Sequence, residues 1–449
     1  MNKDYERYLR IAEKVNNLSK EASEEVLAAH PDRKDNVVFT TTAAATGPIL
    51  TAYVYWVLSD AIKKGIRRLY FLARDGYVMY KIASLVAEKE KLDIECRYIY
   101  ASRIAWRLPQ YHLQGKNCLD KICLNGVCVT VQSMLERAHL TMEECDRVTE
   151  ELNISEEERY RQLEYREILE YKEVFRKCDI LFEYINSHSK AAYELAMGYF
   201  AQEGLLDEER YAIVDIGWTG SMQESIECLI GRRIEGYYFG MFGYPKERGL
   251  EGYYTFYFKA EGDVKRKVDF NHNLLECLCC APDGMTTGYK IENDRYVPVF
   301  ATKENLNLNR WDVRIQIDTI VEYAERYSEK AQVSTWKKST GIQLTTQLCR
   351  EFMIHPTRQE AECYGTFNFS DDVSEKDVRH LAVVMTKEEL RENHVAKRIL
   401  NRLGLYQYKN PLTMSCWIEG SIQRSGHANK WYDRLNARLF RYILYRFRQ

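Results

Sequence analysis

The stretch Tyr211-Ala-Ile-Val-Asp215-Ile-Gly217-Trp-Thr219-Gly220-Ser221 decides the fold: a short apolar run ends in one carboxylate, and a Thr-Gly-Ser turn follows. Residues 211–214 are apolar enough for an interior strand, and 222–230 repeat at helical spacing, which places 217–221 at a strand-to-helix junction. At such a junction, unpaired backbone N–H groups and the positive end of the helix dipole converge, and glycines let an anion approach the main chain. The segment is therefore expected to cradle a phosphate on Gly217, Thr219, Gly220 and Ser221, with Asp215 beside it at the end of the strand. The bland alternative is a corner in which Thr219 or Ser221 only caps the helix.

A second corner of the same kind lies upstream, in Leu69-Tyr-Phe-Leu-Ala-Arg74-Asp75-Gly76-Tyr-Val-Met-Tyr: strand, glycine turn, helix. The next strand runs into Tyr100-Ala-Ser-Arg103-Ile-Ala-Trp-Arg107. Arg74 and Gly76 join the phosphate-binding candidates. Arg103 and Arg107 are the cations that a multiply charged ligand would need. Helix, strand, helix, strand in this order predicts an α/β fold with a mostly parallel sheet joined by crossovers.

The remaining chain divides around that sheet. Residues 1–45 read as a polar helical cover, and 46–300 as the α/β core. An apolar helix over 49–64 is opened by Gly47-Pro48 and broken by Gly65. A helical insertion occupies about 113–206, with one strand-like stretch at 127–130. Strands resume at 211–215, 235–242 and 253–258, whose aromatic density suits β structure. Residues 301–449 read as mainly helical and end in a basic amphipathic helix. That helix carries Lys430, Arg434, Arg438, Arg441, Arg446 and Arg448 against Asp433, interleaved with Trp431, Leu435, Leu439 and Phe447. Such a segment suits an anionic membrane surface, or a terminal helix lying on its own domain.

The net charge of −2 over 449 residues argues against a general nucleic-acid binder. The N-terminus lacks a signal peptide's apolar stretch, so a cytoplasmic location is expected, peripheral at the inner face of the membrane if the basic tail anchors there. The cysteines are scattered. The cluster Cys277, Cys279 and Cys280 has no second pair and no histidine at zinc-finger spacing, which points to reduced thiols.

Strand, acid and Thr-Gly-Ser turn resemble the ribose-phosphate loop of the type I phosphoribosyltransferases, in which apolar residues lead into two acids, spacers and a Thr-Gly-x-Thr turn. Asp215 stands in the second acid's place, Val214 replaces the first acid, and Met222 replaces the last Thr. A closer resemblance is to a bacterial surface-polysaccharide family, carried by Gly47-Pro48, Phe71-Leu-Ala-Arg-Asp-Gly76, Tyr100-Ala-Ser-Arg103, Val214-Asp-Ile-Gly-Trp-Thr-Gly-Ser221 and Trp417-Ile-Glu-Gly-Ser421. Members often carry a haloacid-dehalogenase-type phosphatase domain and are labelled as such hydrolases or as glycosyltransferases. The phosphatase chemistry needs an Asp-x-Asp motif, and this sequence contains none.

The resemblance implies a sheet of the type I phosphoribosyltransferase kind. It also implies transfer of a phosphoribosyl group from phosphoribosyl pyrophosphate to a glycan or lipid-linked glycan, with a separate phosphatase acting later. Mg²⁺ would be held with help from Asp215. Asp215, Arg103, Arg107, Glu276 and Asp75 are the catalytic candidates. Glu276, in an apolar setting, is slightly favoured over Asp75 as general base. His272, four residues before Glu276, is expected to be structural. The alternatives are a phosphatase-like hydrolase and a non-catalytic anion-binding partner of a polysaccharide assembly complex.

Overall fold

Strand formation follows the aromatic and aliphatic runs. In the computed structural model, which describes residues 3–126, 128–245, 249–369, 379–408, 412–426 and 429–447, they become β1 (Arg68–Leu72), β2 (Glu95–Ile99), β3 (Tyr211–Asp215), β4 (Glu235–Gly240) and β5 (Tyr253–Phe258). The five strands form one sheet in the order β2-β1-β3-β4-β5, and every neighbouring pair is parallel. β3 is buried along its whole length, as a central parallel strand covered on both faces must be.

Alternation along the strands sorts their side chains onto two faces. Leu69, Phe71, Ala212 and Val214 join the core beneath the Gly76–Lys89 helix. Tyr70, Leu72, Tyr211 and Ile213 join the core beneath the Ser221–Ile230 helix. The helices leaving β1 and β3 thus cover opposite faces, although their parent strands are adjacent. That divergence opens a crevice at the carboxyl ends of β1 and β3, where open α/β sheets bind their ligands.

The apolar helix begins earlier than its Gly-Pro pair suggests. Val37–Lys64 is one continuous helical stretch of 28 residues, with a π-helical turn at Thr42–Thr46, and Pro48 lies inside it. Gly65, at φ 67°, ends it in the left-handed conformation. By length and composition the stretch is apolar enough to cross a membrane, but 94% of its most apolar window is buried inside the protein. Residues 38–45, expected in a polar cover, belong to this core.

The insertion is helical from Arg103–Arg107 to Asp179–Gln202. It holds its own apolar cluster, including Met134, Leu135, Val148, Phe175, Leu181 and Ile185. Of the strand-like stretch 127–130, Val127 lies outside the described residues and 128–130 form no strand. An antiparallel hairpin, β6 (Thr286–Glu292) and β7 (Arg295–Phe300), follows the sheet. It turns on Asn293 and Asp294, both at positive φ (51° and 58°), the geometry of a two-residue hairpin loop. Tyr289 of β6 stacks on Tyr199 at 4.3 Å, which fixes the hairpin to the insertion's last helix. The C-terminal third is mainly helical and ends in Lys430–Phe447, with Arg448 outside the described residues.

Candidate functional site

Both corners open into one cavity of about 430 Å³, lined from the β1 side by Arg74 and Asp75 and from the β3 side by Asp215, Gly217, Thr219 and Ser221. Arg103 and Glu276 complete the wall predicted from the sequence, and His272, expected to be structural, lines it as well. A larger groove of about 840 Å³ lies elsewhere, between Asn16, Lys89 and residues 327–340. Of its two acids, Glu90 and Glu329, Glu90 accepts the Val333 N–H at 3.0 Å, a bond that ties two segments together. The chemistry-bearing groups are in the smaller cavity.

The β3 corner is locked to the sheet. The Gly240 N–H donates to the Ile216 carbonyl at 3.2 Å, and the Phe242 N–H to that of Trp218 at 2.8 Å. Gly217 sits at φ 143°, and a Cβ there would collide with the Gly240 carbonyl oxygen. The buried Tyr53 hydroxyl donates to the Asp215 carbonyl at 2.8 Å. Gly220, in the left-handed region at φ 69°, is the N-cap of the Ser221–Ile230 helix, and no side chain caps it. Neither Thr219 nor Ser221 caps that helix, and both line the cavity. The Gly76–Lys89 helix likewise starts without a side-chain cap. Two helix N-termini without a side-chain cap therefore adjoin one space.

Gly76 and Gly220 themselves do not line the cavity. A Cβ on Gly76 would stand 2.9 Å from the Phe71 carbonyl carbon, and one on Gly220 would meet the Tyr253 ring. Their role is close approach beneath the corners. Arg107 also lies away from the cavity wall. It is half-buried near Glu224 and Arg137, and burial with the neighbouring Arg103 charge lowers its pKa. Glu419, from the Trp417–Ser421 tract, is fully buried and paired with Arg441, so that tract supports the C-terminal helices instead of the cavity.

The acids face an unusual environment. Burial pushes the Asp75 carboxyl up to about 7, helped by the Asp215 charge and opposed by Arg74 and Arg103. Burial also pushes Asp215 up to about 7, opposed by the Ile216 and Gly217 N–H groups and Arg103, and helped by Glu276. Glu276 is oriented by Trp218, whose indole Nε1 donates to its Oε1 at 2.6 Å. Trp218 in turn lies against Phe258, Phe270 and His272. Arg103 opens a short helix whose N-cap Ser102 accepts the Ala105 N–H at 2.9 Å and donates to the Thr286 carbonyl at 2.6 Å. Arg103 is exposed and makes no hydrogen bond or ion pair with the described residues.

Several wall residues were not foreseen. Asn305, Asn307, Arg310 and Asn368 come from beyond the sheet, and Met285 and Cys280 from its last connection. The cysteine cluster is otherwise interior: Cys277 and Cys279 are buried, and the Cys280 thiol contacts the Glu276 carbonyl at 3.4 Å. Among the described residues no group of three Asp, Glu, His or Cys is close enough to hold a metal alone. A divalent ion of the Mg²⁺ kind does not require such a cage, since one or two carboxylates and substrate phosphates suffice. Asp75 and Asp215, two enclosed carboxyls whose charges repel each other, fit that limited role.

Compared with models of known protein families and with curated proteins, the chain matches none.

Proposed function

We propose that the cavity binds phosphoribosyl pyrophosphate and transfers its phosphoribosyl group to a glycan acceptor. The observation that carries this reading is the opening of two helix N-termini without side-chain caps, from adjacent strands on opposite faces, into one cavity with Arg103, which makes no ion pair among the described residues. A sugar with anionic groups at both ends spans such an arrangement; a single phosphate would use only half of it. The β1 corner would hold the pyrophosphate with Arg74 and Arg103, and Thr219 to Ser221 the 5-phosphate.

Transfer breaks the bond between the anomeric carbon and the pyrophosphate oxygen, and its electron pair leaves with pyrophosphate. An acceptor hydroxyl oxygen bonds to the same carbon and gives its proton to a carboxylate. Glu276, held by Trp218 on the helix across from the β1 corner, is the base on this reading. Asp215 orients the ribose hydroxyls. Asp75, with its proton retained up to about pH 7, can lie beside a polyanion without full repulsion. Mg²⁺, when bound, would neutralise leaving-group charge, and Asp75 and Asp215 are the residues that would hold it.

The hydrolase alternative meets a specific obstacle. Two residues before Asp75, where a phosphatase of that class carries its nucleophilic aspartate, stands Ala73. A transfer without a covalent enzyme intermediate needs no such nucleophile.

The test is calorimetric titration with phosphoribosyl pyrophosphate and Mg²⁺, followed by assay of pyrophosphate release with lipid-linked glycan acceptors. Binding and acceptor-dependent release are expected. Lack of binding overturns the reading, and binding without release with any acceptor leaves a non-catalytic anion-binding protein.

A further inference from the structure

The terminal helix is oriented opposite to the arrangement its basic composition suggests. Lys430–Phe447 lays its arginines on the protein: Arg438 donates to Asp269 at 2.7 Å, Arg441 to the Val268 carbonyl at 3.0 Å and to Glu419, and Arg434 to Gln423 at 2.8 Å. Its outward face carries Trp431, Leu435, Leu439 and Tyr442, spaced as one helical stripe, with Phe447 beyond. Trp431 is 75% exposed and Phe447 79%. The helix Val395–Arg402 packs beside it through the His394–Tyr432 hydrogen bond of 2.8 Å and the Val395 N–H, which donates to Asn436 Oδ1 at 2.9 Å. Lys430 and Arg446 stand at the two ends of the helix and Arg402 at the end of its neighbour, and none makes an ion pair with the described residues.

We propose that this face lies in the headgroup layer of an anionic lipid bilayer. Leucines flanked by tryptophan and tyrosine on an 18-residue helix of about 27 Å suit an interfacial position. Lys430, Arg402 and Arg446 supply the complementary charge, since polybasic residues attract anionic headgroups. A second copy would fit less well, because a two-fold contact sets this patch against its own likeness, these cations included. The helix cannot span the bilayer, since its other face is committed to Asp269 and Glu419. Tyr445 stacks on Phe242 at 5.5 Å, and Phe242 contacts the cavity residue His272 at 5.4 Å. One aromatic layer thus separates the proposed lipid-facing helix from the cavity.

Co-sedimentation of the full chain with vesicles of phosphatidylcholine alone, or mixed with phosphatidylglycerol, tests this without substrate, so its failure leaves the donor titration untouched. The wild type should sediment with the anionic vesicles and more weakly with the neutral ones. W431S/L439S should weaken binding at least tenfold, and K430Q/R446Q should remove the preference for phosphatidylglycerol. Because Trp431, Leu439 and Arg446 are exposed and the half-buried Lys430 makes no ion pair with the described residues, melting curves should stay unchanged. Should the double variant misfold, quenching of Trp431 fluorescence by brominated lipid, lost in W431F, gives the same information. Absence of wild-type binding, binding unchanged in both variants, or a dimer that W431S/L439S converts to monomer would overturn the proposal.

Discussion

In the insertion, the helices Val131–Arg137, Met142–Glu151 and Glu156–Tyr160 each begin with a reciprocal capping box, supplied by Thr130, Thr141 and Ser155. At the strand ends, the helices beginning at Gly76 and Ser221 have no side chain on their first N–H groups. The arginines differ in the same way. Arg159 of the insertion donates to Gln132 at 2.6 Å and to Asp146 at 2.5 Å, whereas Arg103 at the cavity has no such partner among the described residues. One region satisfies its polar groups internally and gains stability by doing so. The other leaves its helix starts without side-chain caps and Arg103 without an ion pair among the described residues, and buries two acids together, which destabilises the folded chain and is explained if a polyanionic ligand supplies what is missing.

The contrast can be broken at several points. R103A should slow transfer on the order of a hundredfold, about 3 kcal/mol in the barrier, with an unchanged melting temperature. A loss of stability without loss of rate would make Arg103 structural. Asp75 and Asp215 titrate near 3.8 in an unfolded chain and near 7 when folded, so the folded chain holds more protons between these values. The contribution of these two acids to stability should therefore be fully present below about pH 4, fall as pH rises toward 7, and level off above it. D215N should remove part of that slope and melt higher than wild type at pH 8, by an amount on the order of a few kcal/mol in stability. A steeper slope in D215N would mean that the carboxylate is stabilised in place.

Smaller effects belong to the insertion. R159M should cost about 2 kcal/mol in denaturant unfolding and leave donor affinity unchanged. T141A, which removes a cap, should cost about 1 kcal/mol. T219A, at a corner where no cap exists, should change stability by less than about 0.5 kcal/mol while weakening donor binding in the titration. Equal stability losses for T141A and T219A would erase the distinction between the two regions.

The sheet was legible because β1, β3 and β4 are dense apolar or aromatic runs leading into glycine, and parallel crossovers follow from the alternation with helices. The corners at Asp75 and Asp215 were legible for the same local reason. Position across the sheet was not. Arg103 and Arg107 look equivalent in sequence, and only the Ser102 cap and the hairpin behind it direct Arg103 to the cavity. The hairpin had a local signal, Asn293-Asp294 between two strand-like runs. Asn305, Arg310 and Asn368 had none, since they reach the cavity only through tertiary packing of the C-terminal third. The terminal helix was legible as amphipathic, but which side meets the protein depends on Asp269 and Glu419, distant acids that no local periodicity reveals.

The Val37–Lys64 helix has a consequence for the chain's birth. Part of its apolar surface is covered by the Val313–Ser328 and Lys338–Cys349 helices, synthesised almost 300 residues later. At ribosomal speeds of about 5–20 residues per second, it waits on the order of tens of seconds for that cover. During that interval a segment long and greasy enough to be mistaken for a membrane span emerges unprotected. Any factor that reads apolar helices as they leave the ribosome would meet it before its own protein does.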